Sequence, residues 1–227
     1  MKKIYNFLLP KYVRLPLLTV LLLNCIAFNV VPILLGENAF RYNFSIPLDT
    51  QIPFVPFFIV FYFLAFPQWV FTYIGHSRLG VETCYRMVSS DLIAKLLCLL
   101  VFIFLPTQMV RPQITGNGFF EQCVAFIYWI DKPISLLPSI HCLESWICFR
   151  TAFLLPNKNA WYITAQGILT AFVCASTVLI KQHLVLDIPT GILAAEIGIQ
   201  LSNRFGLWRF VDKLQTPSAR KWLAQNR

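Results

Sequence analysis

Long apolar runs separated by short polar stretches dominate the chain between residues 15 and 202. An α-helix needs about 20 apolar residues to cross a bilayer, so runs of this length predict membrane-spanning helices. Weaker runs are tolerated where protein rather than lipid surrounds the helix. The predicted segments are 15–36, 53–75, 90–106, 138–155, 161–180 and 184–202. The pattern therefore predicts an all-α polytopic membrane protein with six transmembrane helices in one bundle.

No part of the chain is both long and polar enough to predict a separate soluble domain. The longest polar connections are about 107–137 and the segment after 203. We therefore expect residues 1–227 to form one integral membrane domain that ends in a basic tail, 203–227. The basic start of the chain precedes an apolar stretch with no cleavage pattern, which we interpret as a retained anchor.

Composition supports a bilayer as the solvent. The chain is 57% hydrophobic and 15% aromatic, and 13% of its residues are charged. A soluble domain carries about 25% charged residues. The seven cysteines include no CxxC pair with the spacing of a metal site, and we interpret them as small buried apolar side chains.

The net charge of +9 raises the question of nucleic-acid binding, which the placement of the charges answers. With the N- and C-termini in the cytoplasm, the cytoplasmic pieces hold 14 of the 19 basic residues. This asymmetry follows the positive-inside rule, so the basic excess reflects membrane topology and no nucleic-acid partner is expected. The basic residues predicted on the outer side are Arg41, Arg111, Lys132 and Lys181.

Several ionisable residues are predicted at this sparsely charged outer side. His141 lies at the start of the fourth segment, in "LLPSIHCLESW", and His183 and Asp187 lie in "STVLIKQHLVLD". His183 and Asp187 are four residues apart, so they share a helix face, unless Pro189 places Asp187 at a helix entry; both arrangements keep the pair close. A carboxylate beside an imidazole fixes its tautomer and raises its basicity.

Taken singly, each of these residues has an ordinary structural explanation. A histidine at a membrane interface is commonly a simple polar residue, Ser139 can be a helix N-cap, and Lys181 can extend to the interface. Together they form a costly set on one membrane side, and such sets are commonly functional. Two imidazoles suit a nucleophile and a general acid, and cations with a helix N-terminus suit phosphate. The set predicts phosphoryl transfer through a phosphohistidine.

The order of these residues resembles the type-2 phosphatidic acid phosphatase superfamily of integral membrane lipid phosphatases. The family's motifs are K-x6-R-P, then P-S-G-H, then S-R-x5-H-x3-D. The chain has "RP" at Arg111–Pro112, "PSIH" at Pro138–His141 and "STVLIKQHLVLD" at Ser176–Asp187. The motifs cover about the last 120 residues, and the earlier part agrees through its topology alone. "DKP" at 131–133 and "KQH" at 181–183 are similar to a bacterial branch.

The resemblance implies roles for individual residues. His183 attacks phosphorus and carries the phosphate, Asp187 orients it, and His141 protonates the leaving oxygen and then activates water. The resemblance also implies that no metal and no cofactor is needed. The residues expected to bind the lipid phosphate are Arg111, Ser139, Ser176 and Lys181.

The chain departs from the family at two cationic positions. Phe104 stands where the family has Lys, and Thr177 stands where it has Arg; Ile140 replaces the glycine of P-S-G-H. Lys181 is four residues after Thr177, one helical turn away, so we hypothesise that it supplies the missing cation. Lys132 is a weaker candidate.

Three other functions remain open. A phosphotransferase on the same scaffold would pass a phosphoryl group or headgroup to a lipid or polyol hydroxyl. Two His and one carboxylate can also form a metal site, although Arg111 and Lys181 would repel a cation. A channel or transporter would place its site near the bilayer midplane, whereas these residues are predicted at segment ends.

The leading interpretation is a metal-independent lipid phosphatase. Phosphatidic acid, phosphatidylglycerol phosphate and polyprenyl diphosphate all fit as its substrate. Short loops and the strong basic bias favour a bacterial inner membrane with the active site on the periplasmic or extracellular face.

Overall fold

The structure, a computed structural model, describes residues 10–36, 39–155 and 157–213, together with positions 217, 219 and 221. This part of the chain is helical and contains no β-strand, so the all-α prediction is confirmed for it. The α-helices are α1 Lys11–Cys25, α2 Val31–Leu35, α3 Pro47–Gln51, α4 Ile59–Leu79, α5 Val81–Phe104, α6 Phe119–Ile130, α7 Ile140–Thr151, α8 Ala160–Leu179, α9 Asp187–Arg204 and α10 Trp208–Lys213. A π-helical turn, Ile26–Val30, joins α1 to α2, and 3-10 turns Pro56–Phe58 and Ala152–Leu154 precede α4 and follow α7.

Three helical stretches are long and apolar enough to cross a membrane. They are Pro56–Leu79, Val81–Phe104 and Ala160–Leu179, which lie in the second, third and fifth predicted segments. The remaining predicted segments also contain helices: α1 with α2, α7 and α9. The structure thus agrees with a membrane protein that has three candidate spans, and the other three spans stay a prediction.

The helix of the third predicted segment extends beyond that segment. The third segment was expected to begin at residue 90, but α5 begins at Val81, directly after Gly80. Gly80 has a φ of +156°, which breaks the chain direction between α4 and α5. The polar residues at the start of α5 had suggested a connection, yet several of them are buried against other helices.

The connection 107–137 was expected to be polar, but it contains the apolar helix α6. This helix has Val124 and Ile127 buried in one cluster with Ile59 and Tyr62 of α4. A 12-residue helix is too short to cross a bilayer by itself, so it reads as buried or interfacial.

Helix α5 is the centre of the bundle and contacts α1, α4, α7, α9 and α10. Glycines of α9 permit close backbone approach at two levels. A Cβ built on Gly198 would lie 2.3 Å from the Ser90 carbonyl oxygen of α5, and one on Gly191 would lie 2.4 Å from the Ser139 carbonyl oxygen at the start of α7. Any larger residue at these positions would force the helices apart.

Only part of the predicted basic tail 203–227 lies within the described residues. Its first half forms α10, which packs on α5 through buried Val211 and partly buried Trp208. The guanidinium of Arg86 in α5 lies 5.0 Å from the centre of the Trp208 ring. The tail therefore begins as a helix docked on the bundle, and most of its remaining residues, like 1–9, lie outside the described ranges.

Candidate active site

The site lies at the end of the bundle where α7 and α9 begin, which we call the histidine end. Several loops meet there, and backbone hydrogen bonds hold them. The Tyr42 N–H donates to the Pro106 carbonyl at 2.8 Å, and the Ser135 N–H donates to the Thr107 carbonyl at 2.8 Å. The Val55 N–H donates to the Leu179 carbonyl at 2.9 Å. These bonds hold the loops in a layer above the helices.

His183 and Asp187 form a hydrogen-bonded pair in this layer. Nδ1 of His183 lies 3.0 Å from Oδ2 of Asp187, and the same oxygen accepts the Leu184 N–H at 2.9 Å. Asp187 is the first residue of α9, so the structure has the helix-entry arrangement. Because a carboxylate only accepts, Nδ1 carries the proton and Nε2 keeps its lone pair. The described residues provide no hydrogen-bond partner for Nε2, which is the atom a nucleophilic histidine needs.

His141 lies beside His183, with 6.0 Å between the ring centres. Its ring stacks on Tyr62 at 4.3 Å, and Phe66 and Trp69 also contact it. Nε2 of His141 is buried and has no partner within the described residues. Aromatic packing therefore fixes the ring while one of its nitrogens stays free for proton transfer.

Ser139 links the two helices that present the histidines. Its Oγ accepts the Cys142 N–H at 3.4 Å and so caps α7. Its own N–H donates to the Asp187 carbonyl at 3.1 Å. With Gly191 in contact with its carbonyl oxygen, Ser139 sets the distance between the starts of α7 and α9. The structure thus gives Ser139 a positioning role, and its contact with phosphate stays a prediction.

Arg111 lies next to Asp131 and is partly buried. Its Nη1 donates to the Asp131 carbonyl at 2.5 Å, and its guanidinium lies 4.6 Å from the centre of the Tyr128 ring. Nε and Nη2 have no partner in the described ranges. Burial lowers the pKa of Arg111, an effect that the nearby Asp131 opposes, and the group stays charged. Two donor atoms of a fixed cation are thus open to an anion.

Asp131 and Gln182 were missed by the sequence analysis as site residues. Oδ2 of Asp131 accepts the Gln182 amide at 2.5 Å, and Asp131 lines a small pocket together with His183. Burial raises the pKa of Asp131, although His183, when its ring is protonated, and the charge of Arg111 oppose this. Asp131 and Gln182 lie in the segments "DKP" and "KQH", of which the sequence analysis selects the lysines as candidate phosphate ligands. A carboxylate on a side with so few charges was the available signal.

The side chains of Lys181 and Ser176 form their hydrogen bonds with backbone carbonyls and not with His183 or Asp187. Nζ of Lys181 donates to the Asp49 and Ile52 carbonyls at 2.7 and 2.6 Å, next to α3. Oγ of Ser176 donates to the Val173 carbonyl at 2.6 Å within α8. Lys181 does not lie one helical turn above Thr177, because α8 ends at Leu179 and Lys181 has a φ of +54°. The same helix end separates the face of Ser176 from that of His183.

A cavity of about 910 Å³ extends from His141 into the bundle. Its walls come from α1, α4 and α7 and are mainly apolar, with Tyr62, Phe66 and Trp69 nearest to His141. Asp131 and the exposed Lys132 line its other edge at the histidine end. An apolar space of this size suits lipid chains, and Lys132 is the basic residue that the structure places on its rim.

No family model, curated protein or solved structure matches the chain. Across the described ranges, no group of three or more His, Cys, Asp or Glu side chains is placed to hold a metal ion.

Proposed function

We propose that the protein is a metal-independent lipid phosphatase and a divergent member of the type-2 phosphatidic acid phosphatase superfamily. One observation supports this most: His183, oriented by Asp187 and with Nε2 unpartnered, lies beside His141 at the mouth of an apolar cavity. The lipid chains lie in the cavity, and the phosphate lies among His183, His141 and Arg111.

The reaction has two steps. Nε2 of His183 attacks phosphorus while the bond from phosphorus to the lipid oxygen breaks, and that oxygen takes a proton from protonated His141. Asp187 stabilises the positive charge that develops on the His183 ring. In the second step a water oxygen attacks phosphorus, and His141 accepts a proton from that water. The phosphorus–nitrogen bond breaks, and inorganic phosphate leaves.

The topology belongs to the same proposal. Six spans with both termini in the cytoplasm place the histidine end outside, and the distribution of basic residues supports this orientation. We propose a bacterial inner membrane with the site on the periplasmic or extracellular face.

A second candidate is a phosphotransferase that attacks phosphodiester lipids and passes the headgroup phosphate to a hydroxyl. It is favoured by the Asp131 carboxylate next to His183 and by the engagement of Lys181 elsewhere. Both features lower the positive charge available at the site. A phosphodiester carries one negative charge and a phosphomonoester up to two, so the diester tolerates this site better.

The test is release of inorganic phosphate from a panel of lipid phosphates and diphosphates in detergent with EDTA. The wild type is compared with His183→Ala, and His76→Ala is the matched control because His76 lies at the opposite end of α4. Release that is lost only in His183→Ala supports the phosphatase. Products that form only when an acceptor alcohol is added support the transferase, and no reaction of either kind contradicts both.

A further inference from the structure

A buried ionic cluster lies in the middle of the bundle, below the histidine end. Nζ of Lys95 lies 2.8 Å from Oδ2 of Asp91, and it also pairs with Oε1 of Glu144. All three side chains are buried. Charged groups inside a membrane bundle are costly, and they are commonly functional.

The edge of this cluster reaches the large cavity. Glu144 lies three residues after His141 on α7, and both line the cavity with Asn24 of α1 and Tyr73 of α4. Three residues along a helix are just under one turn, a rise of about 4.5 Å, so the two side chains share a face. The cavity therefore has a second polar region, one turn below His141.

This second region is rich in hydrogen-bond acceptors. The Tyr73 hydroxyl donates to Oε2 of Glu144 at 3.0 Å, and Nδ2 of Asn24 donates to Oε1 at 3.3 Å. The amide orientation follows from the carboxylate, which can only accept. Oδ1 of Asn24 then lies buried without a partner in the described residues. A buried acceptor without a donor is unfavourable, so a ligand that brings a donor gains affinity there.

We propose that Asn24 and Glu144 bind a hydrogen-bond-donating group, a hydroxyl or an amine, that the lipid carries next to its phosphate. This deepens the proposed function, on which it rests, by naming the substrate class. A lipid with a free hydroxyl near the phosphate supplies the donor, whereas an ester or ether at that atom supplies only acceptors. The cavity thus discriminates between lipids that share the same phosphate and the same chain.

The test compares two probes that differ in one donor. One is an alkylglycerol phosphate with a free hydroxyl on the middle glycerol carbon, and the other is the same compound methylated at that oxygen. Dissociation constants are measured in detergent in a His183→Ala background, where no turnover occurs. We expect the free hydroxyl compound to bind about tenfold more tightly, the effect of one hydrogen bond to a buried acceptor.

Matched variants locate the effect. Asn24→Leu and Glu144→Gln should bring the ratio of the two dissociation constants to within twofold of unity. Glu196→Gln should leave it unchanged, because Glu196 pairs with Arg150 and does not line the cavity. An amine analogue of the probe that binds more tightly than the hydroxyl compound identifies the donor as an amine.

Equal affinity of the His183→Ala protein for both probes would overturn the proposal. This result does not depend on whether the variants of Asn24 and Glu144 fold. A ratio that persists in both Asn24→Leu and Glu144→Gln would overturn it too. Because binding is measured without turnover, this outcome is separate from that of the phosphatase assay. If phosphate is released but the two probes bind equally, only the assignment of Asn24 and Glu144 is wrong. If the probes bind differently but no phosphate is released, only the proposed phosphatase activity is wrong.

Discussion

The two ends of the bundle hold their charges in different ways. At the end opposite the histidines, charged side chains bind one another: Arg86 lies 2.7 Å from Glu82, and Arg150 lies 2.5 Å from Glu196. These pairs are partly exposed, so each contributes little stability. Their arginines belong to the basic residues that the sequence analysis predicts on the cytoplasmic side.

At the histidine end, charged groups are held by backbone carbonyls and single hydrogen bonds, and key atoms stay open. Within the described residues, Arg111 donates to a carbonyl while Nε and Nη2 have no partner, and the His183 ring has a hydrogen-bond partner at Nδ1 alone. The lesson is that the number of charges at an end says little about chemistry. What marks a reactive end is a rigidly held ionisable group with an unsatisfied atom next to a cavity.

The largest expected effect follows from removing the carboxylate charge of Asp187, which in the proposed mechanism orients His183 as the nucleophile. Asp187→Asn should lower phosphate release by roughly 10³-fold or more, because an amide permits the wrong tautomer of His183 and does not stabilise its positive charge. Turnover of each purified variant is measured at saturating lipid phosphate. Glu196→Gln makes the same change in the opposite-end pair and should retain activity. Comparable losses in both variants would contradict the contrast between the ends.

Arg111 tests whether the open guanidinium atoms bind phosphate. Arg111→Met should lower kcat/KM by about 10- to 100-fold, the effect of losing one charge-assisted hydrogen bond. Arg150→Met, at the opposite end, should stay within about twofold of the wild type because surface ion pairs contribute little. Full activity in Arg111→Met would remove this residue from the site.

Helix spacing at the site depends on Gly191. A Cβ there would lie 2.4 Å from the Ser139 carbonyl oxygen, so Gly191→Ala should move the start of α7 away from α9 and misalign the two histidines. We expect about a tenfold loss of turnover per folded molecule, since small misplacements of catalytic groups are costly. Gly198→Ala creates a similar clash with Ser90, below the site, and should lower the thermal midpoint with less loss of turnover. Equal turnover losses would contradict this positioning role.

The smallest expected effect concerns the stability contribution of Asp131. Burial raises its pKa above the usual 3.8. At pH values between the two pKa values, the Asp131 carboxyl is therefore protonated in the native protein and ionised in the unfolded chain. The contribution of Asp131 to the free energy of unfolding is therefore fully present below the pKa of the unfolded chain. It is lost as the pH rises through the raised pKa of the native protein.

Asp131→Asn removes this titration. Its thermal midpoint in detergent should rise relative to the wild type between acidic and neutral pH, by roughly 2–4 °C for each ~1 kcal/mol. Parallel pH profiles for the two proteins would contradict the assignment. Asp212→Asn is the control, because Asp212 is exposed on α10. Its thermal midpoint should follow the same pH profile as that of the wild type.

Hydropathy was enough to locate helices, because burial in lipid or protein requires apolar runs of defined length. It failed where polar residues are buried in helices, as at the start of α5, and where a short apolar helix sits between loops, as with α6. Local spacing likewise placed His183 with Asp187, since both helical and helix-entry geometry bring residues four apart together.

Spacing failed where the helix ended earlier than expected. The end of α8 at Leu179 and the left-handed backbone of Lys181 direct that side chain to α3. The contact of Asp131 with Gln182 joins residues 51 positions apart, and the Glu144–Asn24 contact joins residues 120 positions apart. Such contacts depend on the packing of several helices, which no local pattern of one chain specifies.

The decisive measurement is covalent labelling of the protein by a lipid carrying radioactive phosphate. The reaction is stopped under alkaline denaturing conditions, in which a phosphohistidine survives, and the labelled peptide is identified. We predict label on the peptide that contains His183 in the wild type and in His76→Ala, and none in His183→Ala. Hydrolysis that proceeds without label, or label that persists in His183→Ala, would contradict His183 as the nucleophile.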